Sequence, residues 1–232
     1  KKLNHYFKVK TQFNYSFRKA SKKDIPYLAK IIIEAEKSNS EKLSYSSLCN
    51  LSEQSVKELI IEMLKQEVDQ CEFSVKSFII VEFEGKPVGG FGGWIEGFKG
   101  ALPSKILKSN LILSTFSRES LKFLKERSHL LKDILIDRKP MTLQLEYLFI
   151  EYSHRGRKIT DQLIKLHIMN ALKKCANLKK IHVQVYKNNV GAVKAYEKSG
   201  FKVLKLYKSN DNEILNYLPF KEKYLMEKKL KN

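Results

Sequence analysis

What most narrows the fold is the stretch from Leu143 to Leu230, where strand-like and helix-like segments alternate across short connections. Leu143 to Ile150 is a run of branched and aromatic residues and reads as a strand. After Glu151-Tyr152-Ser153-His154, a basic loop, Arg155-Gly156-Arg157-Lys158, leads into a helix predicted from about Ile159 to Ala176, with Leu163, Leu166, Met169 and Leu172 apolar. A strand from Ile181 to Val185 follows, then a helix from Asn189 to Ser199 closed by Gly200. Strands from Phe201 to Leu206 and near Tyr224 to Leu230 complete the region. The pattern predicts an α+β fold with helices crossing over a sheet. A strand that passes through a basic loop into a helix N-terminus is also a ready phosphate site, because first-turn amides lack partners and the helix dipole favours an anion.

The upstream half fits the same plan. Phe13 to Lys19 alternates like a strand, and Ser21 with Asp24 three residues on caps a helix carrying Ile25, Leu28, Ala29, Ile32 and Ile33. A second amphipathic helix spans Ser52 to Glu67 with Val56, Leu59, Ile60, Met63 and Leu64 on one face. Phe78 to Phe83 and Val88 to Ile95 form a hairpin around Glu84-Gly85-Lys86-Pro87. Seven glycines fall between Gly85 and Gly100, which predicts a bulge or the close approach of a ligand to the backbone. Residues 98–141 have leucines and isoleucines at helical spacing and read as a helical insertion. At 232 residues and 43% hydrophobic content, the chain is expected to form a single domain over residues 1–232.

Composition removes several function classes. No apolar run approaches the roughly 20 residues of a membrane helix, and Lys1-Lys2-Leu3-Asn4-His5 is not followed by the apolar segment of a secretory signal. Cys49, Cys71 and Cys175 are odd in number and far apart, so neither a disulfide framework nor a thiolate metal site is indicated and a cytoplasmic setting is expected. The five histidines lack metal-ligand spacing, so no metal is expected. The net charge of +19 comes from 44 basic residues, only 6 of them Arg. Lys1, Lys2, Lys8, Lys10, Arg18, Lys19, Lys22 and Lys23 precede the first acid and form a candidate polyanion-binding arm. A solvated lysine-rich surface explains the bias equally simply, and nucleic acid is disfavoured as a partner.

Three runs of residues resemble the GNAT superfamily of acyl-CoA-dependent N-acetyltransferases. Phe17-Arg18-Lys19-Ala20-Ser21-Lys22-Lys23-Asp24-Ile25 looks like the family's first strand and helix. Glu146 to Ile150 through Arg155-Gly156-Arg157-Lys158-Ile159-Thr160 looks like its acetyl-CoA-binding motif. Asn189-Val190-Gly191-Ala192-Val193-Lys194-Ala195-Tyr196-Glu197-Lys198-Ser199-Gly200-Phe201 matches its later Asn-x-x-Ala-x-x-x-Tyr-x-x-x-Gly-Phe pattern in full. The resemblance covers about residues 13–97 and 142–230. It implies a mixed, mostly antiparallel sheet flanked by helices, with 98–141 inserted between the hairpin and the cofactor-binding strand.

The resemblance also implies roles. Amides around Phe149 and Ile150 would hold the pantetheine arm and polarise the thioester carbonyl. Arg155 matches the head of the pyrophosphate loop, and amides of Gly156, Arg157, Lys158, Ile159 and Thr160 would take the pyrophosphate. Lys158 and Thr160 stand where the family carries small residues, and Lys158 brings a charge of its own. Tyr196 sits where the family places a tyrosine that protonates the departing thiolate, although a core tyrosine packing on Phe201 would look the same. Glu146 is the matching carboxylate for the amine proton, or else a carboxylate paired with a nearby Lys. By alternation it shares a face with Gln144, Leu148 and Ile150. Glu96, Glu82 and Glu151 are reserve candidates, and Cys175 is expected in the core. Asn189 would bind the cofactor or cap its helix.

The acceptor is expected to be a small-molecule or peptide amine, selected by residues 37–55 and 98–141, and the oligomeric state, monomer or homodimer, stays open. The insertion is expected to cover the acceptor side of the cleft. Its lysines (Lys99, Lys105, Lys108, Lys122, Lys125, Lys132) would favour an acceptor bearing a carboxylate or phosphate beside its amine, and the net charge of +19 disfavours polyamines and aminoglycosides unless the cleft is locally acidic. Two other classes remain open: a noncatalytic acyl-CoA sensor, and a basic polyanion-binding module on the same scaffold.

Overall fold

A computed structural model describes residues 6–7 and 14–230. Phe13 of the first predicted strand and Lys1, Lys2, Lys8 and Lys10 of the basic arm lie outside the described residues. The strands are β1 Tyr6–Phe7, β2 Tyr15–Lys19, β3 Phe78–Phe83, β4 Lys86–Ile95, β5 Leu143–Ile150, β6 Lys180–Tyr186, β7 Lys202–Lys208 and β8 Glu222–Lys229. They form one sheet in the order β1-β2-β3-β4-β5-β6-β8-β7, antiparallel except for the parallel β5–β6 pair. This is the mixed, mostly antiparallel α+β sheet expected. One feature was illegible in sequence order: the chain turns back after β7 and places β8 between β6 and β7.

Helices cover both faces. On one lie α1 Ile25–Lys37, α2 Ser44–Cys49 and α3 Glu53–Lys65, with α4 Ser104–Thr115 and α5 Arg118–Arg127 from the insertion. Leu28, Ile32, Ile60, Phe73, Phe78 and Leu111 belong to their shared core. On the other lie α6 Ile159–Lys174 and α7 Val190–Lys198, packed over Phe17, Phe91, Leu145, Leu163 and Ile181. The segment between β4 and β5 is helical from Ser104 to Leu131, as its spacing predicts, and irregular from there to β5, while α2 falls in a stretch that carried no predicted element. On α6, Leu163 and Leu166 are buried, but Met169 and Leu172 face solvent. The inward positions are instead filled by Ile164, His167 and Ala171, because a spacing of three, as from Leu163 to Leu172, drifts off one face of a helix with 3.6 residues per turn.

Arg18 shows how the start of α1 is fixed. Its guanidinium donates two bonds of 2.8 Å to Asp24 and one of 2.7 Å from Nε to Glu82 on β3. Asp24 also accepts from the Ser21 amide at 2.8 Å. Burial alone would raise the Asp24 carboxyl, yet Arg18 and Ser21 hold it below the usual range. Arg18 is therefore an internal tie between strand and helix, and no part of a polyanion-binding arm. Removing one member of such a triad leaves a buried charge without a partner.

The glycines of β4 serve packing. A Cβ at Gly93 would sit 2.6 Å from Nδ1 of His167, and one at Gly90 would sit 2.8 Å from Ile31 Cδ1 on the opposite face. The close approach expected there is made by α1 and α6, not by a ligand. His167 donates from Nε2 to the Phe91 carbonyl at 2.9 Å, and burial lowers its imidazole to about 4. The unfolded chain then takes up a proton near pH 6.5 that the folded chain refuses until about pH 4. Stability should fall across that window by about 3 kcal/mol and level off below it. His167→Gln should flatten the decline, as chemical denaturation at successive pH values would show.

Candidate active site

The pairing of β5 with β6 stops early. Leu143, Gln144 and Leu145 face Ile181, His182 and Val183, and the two strands part beyond them. The parting coincides with a bulge in β5, since Gly90 pairs with Phe149 but Gly92 pairs with Glu146, one residue out of step. Tyr147 takes up the extra residue at φ 59°, a left-handed conformation that a non-glycine side chain adopts at a cost. The bulge overturns the simple alternation predicted for this strand. Tyr147 and Phe149 join the core that holds α1, while Leu148 and Ile150 join the core under α6. Glu146 consequently shares its side of the sheet with Tyr147 and Phe149, not with Leu148 and Ile150.

Where β5 and β6 part lies a cleft of about 130 Å³ whose walls include Glu36, Glu146, Tyr147, Gln184, Tyr196 and Lys223. The edge of β5 that faces β6 has no strand partner beyond Leu145, and of the backbone there the Ile150 carbonyl is taken by Arg155. Two of the sequence-derived catalytic candidates, Glu146 and Tyr196, therefore meet in one opening. Asn189 lines the same cleft, but its side chain is engaged: it accepts from the Ala192 amide at 3.2 Å as the cap of α7 and donates to Ser38 Oγ at 2.9 Å.

Glu146 is paired, though not with a lysine. Arg138 donates to its Oε1 from Nε at 2.9 Å and from Nη2 at 2.6 Å. The same Nη2 reaches Glu72 Oε1 at 3.1 Å, and Lys108 of α4 lies 3.3 Å from that oxygen. Arg138 also sits 5.2 Å over the Trp94 ring. Burial raises the Glu146 carboxyl above its usual range, with Arg138 opposing and Glu72 adding to the rise. For Glu72, Arg138 and Lys108 together outweigh burial and hold the carboxyl low. Two cations thus neutralise two buried carboxylates. Glu72 and Glu36 escaped sequence reasoning because they lie far along the chain from β5, and Arg138, eight residues before Glu146, because it precedes the strand in a segment without a period, although an arginine in so lysine-rich a sequence was a signal.

Tyr196 is buried among aromatic rings, stacked on Phe91 and edge-on to Phe201 at a centroid distance of 5.8 Å. Burial first, and the Glu146 charge second, push its phenol well up, so it carries its proton throughout the physiological range. Packing and proton donation are compatible here. The reserve carboxylates are committed elsewhere: Glu82 to Arg18, Glu96 to the Trp94 indole and the Ser104 amide, and Glu151 to Lys30.

The basic loop meets the N-terminus of α6 as the sequence suggests. Gly156 has φ 78° and Lys158, the residue before α6, has φ 59° without a side-chain cap, so first-turn amides of Ile159 and Thr160 are left unpaired within the helix. Arg155 donates to the Ile150 carbonyl at 3.0 Å and thereby ties the loop to the end of β5, while Arg157 donates to the Tyr15 hydroxyl at 3.1 Å. Lys158 occupies a left-handed position that suits glycine, which is the structural meaning of the departure seen in the motif. Among the described residues, no group of three or more His, Cys, Asp or Glu side chains could hold a metal, and no helix is long and apolar enough to cross a membrane.

This geometry agrees with what comparison finds. The family model described as Acetyltransferase (GNAT) family matches residues 47–201. The chain belongs to that family. The GNAT fold is shared with an N-acetyltransferase from Staphylococcus aureus Mu50 at 17% identity and a TM-score of 0.61, covering 91% of this chain and 99% of that one. It is shared too with a ribosomal-protein-alanine N-acetyltransferase from Brucella melitensis at 15% identity and a TM-score of 0.52, covering 92% and 99%. A Salmonella typhimurium acetyltransferase solved with its cofactor acetyl-CoA aligns at 12% identity and a TM-score of 0.54, covering 94% and 95%. No curated protein matches the sequence.

Lys158→Gly should raise the stability of this GNAT chain by up to about 1 kcal/mol, because relief of the left-handed strain exceeds the added chain entropy. Lys158→Val should lower it. Urea denaturation of the two variants beside the parent checks both signs.

Proposed function

We propose that this protein is an N-acetyltransferase that moves an acetyl group directly from acetyl-CoA to a primary amine, with the whole chain acting as one domain. The reading is carried by the cleft that opens where β5 leaves β6, because it gathers a partly accessible carboxylate, Glu146, and a protonated phenol, Tyr196, beside an unpaired strand edge. The residues present fit the cofactor. Arg155, Gly156, Arg157, Lys158, Ile159 and Thr160 would hold the pyrophosphate through first-turn amides and local positive charge. The free edge of β5 at Phe149 and Ile150 would hold the pantetheine arm, and Asn189 would border it.

Acetyl-CoA, when bound, supplies an activated thioester. Glu146 accepts a proton from the acceptor ammonium and leaves a nucleophilic amine, a task its raised proton affinity suits. Tyr196 delivers a proton toward the departing sulfur. The thiols play no part: burial pushes Cys49 up to about 11 and Cys71 up to about 12, which keeps both protonated, and a setting without disulfides, the cytoplasm, accords with them.

The acceptor in this reading is a small-molecule or peptide amine drawn by the carboxylates Glu36 and Glu146. The insertion lysines do not set its class, since Lys105 is paired with Asp137 and Lys108 with Glu72, and none of them is among the residues lining the cleft. The argument for an acidic acceptor loses its basis with that placement, and the carboxylates Glu36 and Glu146 in the cleft weaken the argument from net charge against polyamines. Lys223 is the cation that does line the cleft.

Millimolar acetyl-CoA should raise the melting temperature, and dephospho or desulfo analogues should do so less. Thiol release should appear with at least one member of a panel comprising a polyamine, a free amino acid and a short peptide with an open N-terminus. Binding without turnover would replace the enzyme with an acyl-CoA sensor, and absence of binding would remove both. Tyr196→Phe should lower kcat by roughly ten- to a thousandfold while the fold keeps its stability, because the ring remains and the proton donor is lost. An unchanged rate across the pH range would leave Tyr196 a packing residue only.

A further inference from the structure

Arg138 stands at the end of the inserted segment, eight residues before Glu146, with its guanidinium enclosed by Trp94, Ser104, Glu72 and Glu146. Its grip on Glu146 is one-sided. Both Nε and Nη2 converge on Oε1, at 2.9 and 2.6 Å, and Oε2 has no hydrogen-bond partner among the described residues. Glu146 lines the cleft and keeps 13% of its side chain exposed, whereas Glu72 behind it is fully enclosed. A free carboxylate rotates and offers either oxygen, but two donors on one oxygen fix its plane and leave a defined lone pair for an incoming proton. Glu72, itself paired with Lys108, completes the setting by holding Arg138 from the side away from the cleft.

We propose that Arg138 is a positioning residue for the transfer reaction, holding Glu146 by Oε1 so that Oε2 is presented to the acceptor amine. The inference rests on the acetyl-transfer reading of the cleft. In the step it serves, the acceptor ammonium gives a proton to Oε2, and the freed nitrogen pair forms the C–N bond as the C–S bond breaks. The leaving sulfur takes a proton from Tyr196, the new amide nitrogen gives up its second proton through solvent to restore the Tyr196 phenol, and Glu146 returns the first proton to solvent. Arg138 itself exchanges no proton. It keeps Glu146 ionised enough to act as a base in a site where burial and Glu72 favour the neutral acid.

The groups that face Glu146 are Arg138 and Glu72, Lys108 from α4, Tyr147 on its own strand and Tyr196 from α7, with Glu36 and Lys223 on other walls of the cleft. Loss of Arg138 therefore removes the nearest cation and leaves two carboxylates close together. The acid limb of the kcat profile should move to higher pH by about one unit or more in Arg138→Gln, with kcat at pH 7 down about tenfold or more and KM changed far less. Arg138→Lys should bring the limb back to within about half a unit, because a charge remains.

The test combines kinetics on the fastest amine of the panel with carbon-13 titration of the Glu146 carboxyl in the intact protein, which needs no acceptor. Arg138→Gln, Arg138→Lys, Glu146→Gln and the double variant Arg138→Gln/Glu146→Gln are compared. The expected result is an upward titration shift in Arg138→Gln, restored by Arg138→Lys, and no further loss of kcat when Arg138→Gln is added to Glu146→Gln. An unshifted Glu146 titration, or a kcat loss as large with Gln at 146 as with Glu, overturns the proposal and makes Arg138 a purely structural ion-pair partner. A shifted titration in a protein that acetylates none of the amines overturns the acetyl-transfer reading and leaves the Arg138–Glu146 coupling standing. Should Arg138→Gln fail to fold, the titration and pH profile of Arg138→Lys decide alone, since the weaker one-point contact still predicts a small upward shift against none.

Discussion

The extra residue in β5 is the constraint on which the site depends. A regular strand would continue its parallel pairing with β6, bury its edge and leave no cleft. The bulge at Tyr147 turns the strand's second half by one position, so that Phe149 faces α1 and Ile150 faces α6, and β6 is left behind after Val183. The opening and the unpaired edge begin at that irregularity, and Glu146 stands immediately before it, at the mouth of the cleft. Its left-handed residue is stabilised by what surrounds it: Tyr147 packs against Phe73 and donates to Glu36 at 3.2 Å.

Packing on both faces keeps the irregular strand in place. β4, its antiparallel neighbour, is built from glycines where α1 and α6 come closest, so the two helical layers clamp the sheet directly over the bulge. The price of this close packing is a set of buried polar groups. Most are paired, as with Arg18 and Asp24, and the exceptions, including Glu72 Oε2 and Tyr45 Oη, lie on the side of the sheet that carries the insertion.

Charge behaves differently at the two scales. The chain as a whole is strongly basic, yet the cleft is lined by Glu36 and Glu146 with Lys223, and two lysines of the insertion, Lys105 and Lys108, are taken up by Asp137 and Glu72. A global field steers ligands from a distance, whereas binding is decided by the few groups within a Debye length of about 8 Å. The net charge therefore says little about the acceptor.

The sequence by itself determined most of the element order, the helices within 98–141, the basic loop before α6 and the choice of Tyr196 and Glu146 as candidates, because each is written in residues adjacent along the chain: a period, a cap, a motif. Tertiary structure alone decided which face Glu146 occupies, that Arg138 and not a lysine pairs with it, and that Met169 and Leu172 point outward. It also decided that β8 enters the sheet between β6 and β7. Those outcomes depend on a bulge whose register is set by strand pairing and on partners dozens of residues distant, such as Glu72 and Arg138. Periodicity extends only along one element, and it cannot record where a neighbouring strand stops or which distant charge packs beside it.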